Sequence, residues 1–396
     1  MAGTGPGRLV AVRRGPWPRR LLELDAAGYR PHPLHAPDRI WTETNCAIDV
    51  WIEVLASLGL DPVAGRRAQR AVAVREGGWP LRLLELDAAT YRPHPLHGPE
   101  RIWTETNCAV DVWIEVLASL DLDPVAGTAF TVSAGFEGDQ WTFSKYPVED
   151  LRSLYGIEVA ELNVWRPLAE HVDEHLGLGH LLTVEADAWF LPDTAGVSYR
   201  IEHTKTTIVA NAFDRDGPAV GYFHNGGYFE VDGADAAAVV GSAPPALPPY
   251  VEVVKIGGAR TPADLVDRVV ATARDHLDRR VPGDPVGELG RRIRDDLPWL
   301  AASGPEAFHA YAFGTCRQFG AGAELAASLA TWLDPHVGDL APASAALAGA
   351  AEAAKTLQFV LARRARGRSG DLDGPLAQMT AGWNRGVEIV EARLGA

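Results

Sequence analysis

Residues 10–65 are written a second time as residues 72–127, at a constant offset of 62 and with only eight of the 56 positions different. Most of the differences are mild, among them Asp38/Glu100, Ile48/Val110 and Ala36/Gly98. A solenoid keeps a few packing positions, drifts elsewhere, and stacks three or more units to close a core. Near-identity of one pair with no third copy is instead the mark of a recent tandem duplication, or of an error in the gene model. The 396 residues therefore contain material for two working domains rather than three. The second copy runs directly into Thr128-Ala-Phe-Thr-Val and the strand-rich region, whereas the first ends at Gly65 against Arg66, Arg67 and Arg70. Any site that needs residues beyond Gly127 is completed locally by the second copy, which makes Cys108 the informative cysteine and Cys46 its idle echo. The alternative is that the two copies compete for one docking position, a form of domain swapping.

Composition narrows the class. A chain that is 47% hydrophobic with 12 Trp is neither disordered nor collagen-like. No window approaches ~18 uninterrupted apolar residues, so no membrane span is expected. The Arg-rich start (Arg8, Arg13, Arg14, Arg19, Arg20) lacks the apolar stretch of a secretory signal. Three cysteines are too few for a disulfide scaffold, which points to a reducing cytoplasm. A net charge of -15 argues against a broad phosphate-binding surface. The one dense basic run, Arg363-Arg-Ala-Arg-Gly-Arg368, reads as a solvated helix end, or as a contact for a carrier's phosphate group or tRNA.

Along the chain, Thr106 and Asn107 are good N-cap residues, and Val112, Trp113, Val116, Leu117 and Leu120 recur at helical spacing behind them. Cys108 thus falls in a first helical turn, where free N–H groups and the helix dipole favour an anion. Residues 128–146 alternate as a strand and loop; Val148–Tyr155 and Pro167–Leu176 read as amphipathic helices. His180–Phe190, Tyr199–Ala212 and Ala219–Val231 read as strands, with Asp214-Arg-Asp-Gly217 as a hairpin turn. A Pro-rich linker, 243–249, precedes a last strand at Val251–Ile256, and from Pro262 the pattern is helical to the end. The expected organisation is an N-terminal extension (1–71), an α+β domain with an antiparallel sheet (72–258) and an all-α domain (259–396).

A cysteine at a helix start, followed far downstream by a strand histidine and then Asn or Asp on the next strand, is the order of the papain-type sites. Cysteine attacks only as thiolate, and its ordinary pKa of about 8.5 falls beside a helix N-terminus and an imidazolium. The histidine moves the proton, and a third group orients its ring. Here His203 opens a strand and Asn225 lies on the next, so pairing about the 214–217 turn would set them near one another. A one-residue slip would bring in His224 as the base instead. Asp187 reads as structural or site-supporting. His94 and His97 lie in a Pro-rich approach segment, where a surface or packing role is expected and zinc would lack further ligands. Cys316 reads as core or substrate wall, and Gly226-Gly227 as a turn or bulge. No phosphate-loop spacing occurs, and nothing calls for a cofactor.

Seven segments in order carry a resemblance: Arg92-Pro-His-Pro-Leu-His, Trp103-Thr-Glu-Thr-Asn-Cys108, Phe136-Glu-Gly-Asp-Gln-Trp-Thr-Phe, Glu161-Leu-Asn-Val-Trp-Arg-Pro, Asp187-Ala-Trp-Phe-Leu-Pro-Asp-Thr, Glu202-His-Thr-Lys-Thr-Thr and Tyr222-Phe-His-Asn-Gly-Gly-Tyr-Phe. Over residues 72–396 the chain resembles the bacterial family called domain of unknown function 1839, a name that implies no activity. More distantly, Asp187-x-Trp-Phe-Leu-Pro with its following Tyr and His-led hairpin is similar to the N-terminal domain of the butirosin-type acyltransferases. That likeness implies a papain-like fold and acyl or aminoacyl transfer from a carrier-protein thioester to an amine. It assigns Cys108 as nucleophile, His203 as base and Asn225 as orienter. Ile102 stands where the upstream oxyanion glutamine would be, six residues before Cys108, so the hole would need the Cys108 N–H with Asn107 or Thr106. The expected function is a biosynthetic cysteine-dependent acyl or aminoacyl transferase. Its donor would be a carrier protein or aminoacyl-tRNA and its acceptor a small amine or hydroxyl compound, with Trp299, Phe313 and Trp383 as apolar wall. The alternatives are a cysteine peptidase or amidase, and a non-catalytic binding or accessory protein.

Overall fold

The computed structural model describes residues 81–241 and 248–395, so the first copy of the duplicated segment, Cys46 with it, lies outside the described residues. The described chain opens with β1 (Leu81–Arg82) and a 3-10 turn at Pro95–His97, then enters α1 (Cys108–Ser119). Asn107 caps α1 from an extended backbone, its side-chain oxygen accepting from the N–H groups of Ala109 and Val110 at 3.0 Å. Residues 125–133, which take in the start of the 128–146 stretch expected as strand and loop, instead wind as a buried 3-10 helix. The hydroxyls of Thr128, Thr131 and Ser133 each donate to the carbonyl three residues back, which satisfies in place groups that a strand would need a partner for.

Next come α2 (Val148–Tyr155), β2 (Glu158–Glu161), α3 (Leu168–Gly177) and β3 (His180–Asp187). After them are β4 (Lys205–Asp214), β5 (Ala219–His224), β6 (Gly227–Asp232), α4 (Gly233–Val240) and β7 (Val251–Lys255). The strands form one antiparallel seven-stranded sheet in the order β2-β7-β3-β4-β5-β6, with β1 added along β4. Three boundaries differ from expectation. The strand expected at His180–Phe190 ends at Asp187, and Ala188–Phe190 winds as a short 3-10 helix. Tyr199–Glu202 is a turn rather than strand, with Arg200 at φ 57° and the Ile201 and Glu202 N–H groups both donating to the Ser198 carbonyl. The stretch 219–231 is a hairpin, not one strand: Asn225-Gly226 makes a two-residue turn between the paired residues His224 and Gly227, with Asn225 at φ 45°.

The remainder is helical: α5 (Leu265–Asp278), α6 (Pro285–Ala312), α7 (Gln318–Val337), α8 (Ala341–Arg364) and α9 (Asp373–Leu394). A five-residue π-helical turn, Phe313–Arg317, joins α6 to α7. One face of the sheet packs on α3 and α4, where Val172, Ile208, Tyr222 and Val231 meet. The other face packs on α1, and that core continues through the 3-10 helix into the C-terminal helices, from Leu96 to Leu394. At its centre the rings of Trp141, Phe319 and Trp383 lie 4.9–5.6 Å apart. Such edge and tilted pairs add ~1 kcal/mol each beyond their buried area. Among the described residues no helix is long and apolar enough to cross a membrane.

Candidate active site

Cys108 is the first residue of α1, and the loop that delivers it is held on both sides. Upstream, the Ile102 and Trp103 N–H groups donate to the two oxygens of Glu324 on α7, at 3.0 and 2.8 Å, and the Trp103 indole N–H reaches the Ala351 carbonyl. The Trp103 ring lies against Gly320, where any Cβ would stand 2.5 Å from it, and the Lys355 ammonium sits 4.1 Å from its centroid. Nearer the helix, the Thr106 N–H donates to both carboxylate oxygens of Asp111, and its carbonyl accepts from Arg317. The Asn107 amide donates to the Ser144 carbonyl and to Gln318. The C-terminal helices therefore position the Cys108 loop, a role their remote sequence does not advertise. Thr106 and Asn107 correct one expectation: both are buried, and the Thr106 N–H and the Asn107 side-chain amide are already bonded, so neither group is free to donate to an oxyanion.

The half-buried Cys108 thiol faces β4, where its hydrogen-bond partner is the Thr207 hydroxyl at 3.6 Å. Among the described residues, no imidazole is its hydrogen-bond partner. His203 precedes Thr207 by four residues, up to about 13 Å of extended chain. It pairs through Nδ1 with Asp187 Oδ2 at 2.6 Å and stacks on Trp189 at 4.4 Å, leaving its side chain 67% exposed. Asp187 is thus the group that orients the His203 ring. Asn225 is not. Counted from the Asp214↔Ala219 pair, His203 lies 11 residues back and Asn225 six on, and the bulge at Asn211 absorbs one residue of the difference. Asn225 stands instead at the tip of the β5–β6 hairpin. His224 is also removed from the thiol: it alternates onto the α3/α4 face, buried between Asp193 Oδ2 at 2.5 Å and the Thr206 hydroxyl at 2.8 Å.

Beside Cys108 opens a groove of about 340 Å³. Val112, Trp113, Tyr146 and Val159 give it apolar walls; Lys145, Thr183, Glu185, Lys205, Thr207 and Glu252 give it polar ones. Of the residues expected as apolar wall, Phe313 stands behind the groove, tilted against the lining residue Phe143 with ring centroids 6.2 Å apart. Trp383 is fully buried in the helical core, and Trp299 packs on Tyr311, so neither lines it. Cys316 is fully buried, which pushes its thiol up to about 12 and leaves it unreactive. Among the described residues no group of His, Cys, Asp and Glu is placed to hold a metal ion.

One constellation is formed only by the fold. His97 is buried against α1, with Nδ1 on Glu115 and Nε2 3.4 Å from Asp111. Glu115 also accepts from the Tyr91 hydroxyl at 2.6 Å and from the His94 N–H. Burial alone would lower the His97 pKa, but hydrogen bonds and charge from the two carboxylates raise it to about 9. Burial pushes Asp111 up, opposed by His97, the Thr106 N–H and Arg317. The sequence signal for it is Asp111 and Glu115, four apart on a helix whose other residues there are apolar. The hairpin tip closes on this cluster: a Cβ at Gly226 would stand 2.7 Å from His97 Cγ. Gly226→Ala should therefore destabilise the protein by ~1–3 kcal/mol, measured as a lower urea midpoint; an unchanged midpoint would refute the close fit.

The family's N-terminal domain profile matches residues 30–74 and 92–256, and its C-terminal domain profile matches residues 262–392. The chain belongs to the DUF1839 family. Both N-terminal matches start at equivalent positions of the duplication, Arg30 and Arg92, so DUF1839 sequence begins afresh in the second copy. Comparison with curated proteins finds no match.

Proposed function

We propose that this DUF1839 protein is a cysteine-dependent acyl or aminoacyl transferase with a papain-like arrangement of helix and sheet, Cys108 being its nucleophile. The observation that carries this reading is the half-buried Cys108 thiol on the first turn of a capped helix, at the edge of a groove. The Cys108 thiol gives up its proton to solvent, and its sulfur attacks the carbonyl carbon of a carrier-protein thioester or aminoacyl ester, while its own N–H faces the developing oxyanion. The C–S or C–O bond to the carrier breaks, and the leaving group takes a proton. His203, oriented by Asp187 and exposed just ahead of β4, supplies that proton to the donor bound along β4 and regains one from solvent. A small amine or hydroxyl acceptor then attacks acyl-Cys108 and releases the thiol. A peptidase or amidase differs only in passing the acyl group to water.

A binding role without covalent chemistry is the second reading, favoured by Thr207 standing where an imidazole would activate the thiol. Incubation with an acyl thioester separates the two. Transfer predicts an added acyl mass on the peptide bearing Cys108, which Val110 distinguishes by mass from the Cys46 peptide with Ile48. An unmodified Cys108 peptide after prolonged incubation leaves the binding role.

A further inference from the structure

Among the described residues, two charges in the groove have no ion-pair partner. Its other pair is closed: Lys205 Nζ lies 2.7 Å from Glu185. Lys145, on the segment before α2, meets no carboxylate among the described residues, and its ammonium lies 6.0 Å from the Phe143 centroid. Glu252, on β7, meets no cation among them; neutral hydroxyls hold it, Thr183 on Oε2 and Tyr250 on Oε1, both at 2.9 Å. Those donors fix the carboxylate while leaving each oxygen a lone pair for another donor. Glu161 is directly opposite Glu252 in the β2–β7 ladder, an arrangement that like charges disfavour and a bound cation relieves. An open ammonium and an open carboxylate thus line one cavity, which Val112, Trp113 and Val159 also line.

We propose that this groove binds a small zwitterion, an α-amino acid with an apolar side chain, through Glu252 on its ammonium and Lys145 on its carboxylate. The site stands on the groove alone and holds whether or not Cys108 carries an acyl group. A zwitterion satisfies both charges at once, whereas a monofunctional ligand leaves one of them partly desolvated and unpaired.

Titration calorimetry on the full chain would use L-leucine, 3-methylbutylamine, which lacks its carboxylate, and 4-methylpentanoate, which lacks its ammonium. Leucine should bind about tenfold or more tightly than either analogue. Glu252→Gln should weaken leucine about tenfold while sparing 4-methylpentanoate, and Lys145→Met should weaken leucine while sparing the amine. Cys108→Ala should bind leucine as the parent does, so failure of the transferase reading leaves this result standing. Equal binding of the three probes, no leucine binding at millimolar concentration, or leucine binding indifferent to both substitutions would overturn the proposal. Retained binding of the spared analogue in each variant shows that the groove has kept its shape.

Discussion

Cys108→Ala should lower acyl transfer on the order of 10³-fold or more, because without the sulfur no acyl-enzyme forms and only positioning remains. Cys46→Ala should leave the rate unchanged. The two cysteines sit in near-identical sequence, so the pair of variants tests location rather than residue type. Only the Cys108 copy continues into Lys145, β3 and β4, which supply the groove and Thr207. The loop bonds to Glu324 and Gln318 make a second demand, since they place the helix start against α7. A chain beginning near residue 72 should retain full activity. Transfer that survives Cys108→Ala but fails in Cys46→Ala would reverse the roles of the two copies.

Glu115→Ala should cost ~3–5 kcal/mol of folding stability, since it strands the buried His97 imidazolium and the Tyr91 hydroxyl together. It should also change how stability depends on pH. The His97 pKa rises in the folded state to about 9 from an ordinary 6.5. Its contribution is then fully present below pH 6.5 and is lost as pH rises through about 9, at most ~3 kcal/mol over that window. Urea midpoints between pH 6 and pH 10 should fall steeply for the parent and more gently for the variant. Parallel curves would show that Glu115 does not hold the proton on His97. The same cluster seats the Asn225-Gly226 hairpin, so the variant should loosen that tip and expose its amides to hydrogen exchange.

Local rules made much of the molecule legible. The capped start of α1 is encoded by Asn107 and the helical spacing of Val112, Val116 and Leu117, because cap chemistry and periodicity act within one turn. The antiparallel sheet and the helical second half are encoded by alternation, turn residues and the Ala/Leu-rich run. The 3-10 helix at 125–133 is not legible in this way, since hydroxyl back-bonding competes with a pattern that alternation alone assigns to a strand.

The sequence by itself determined the candidate nucleophile: one cysteine on a helix start, continuous with the strands, its duplicate set aside because Arg66, Arg67 and Arg70 lie downstream of it in place of those strands. Which groups meet that cysteine was decided only in three dimensions. A bulge at Asn211 and the turns at Arg200 and Asn225 set the register, so Thr207 faces the thiol, Asp187 takes His203, and His224 turns to the opposite face. Strand register carries a period of two, so a local irregularity of one residue reassigns every cross-strand partner. The anchoring of the Cys108 loop by Glu324, Gln318 and Ala351, more than 200 positions away, likewise depends on helix packing that no local pattern encodes.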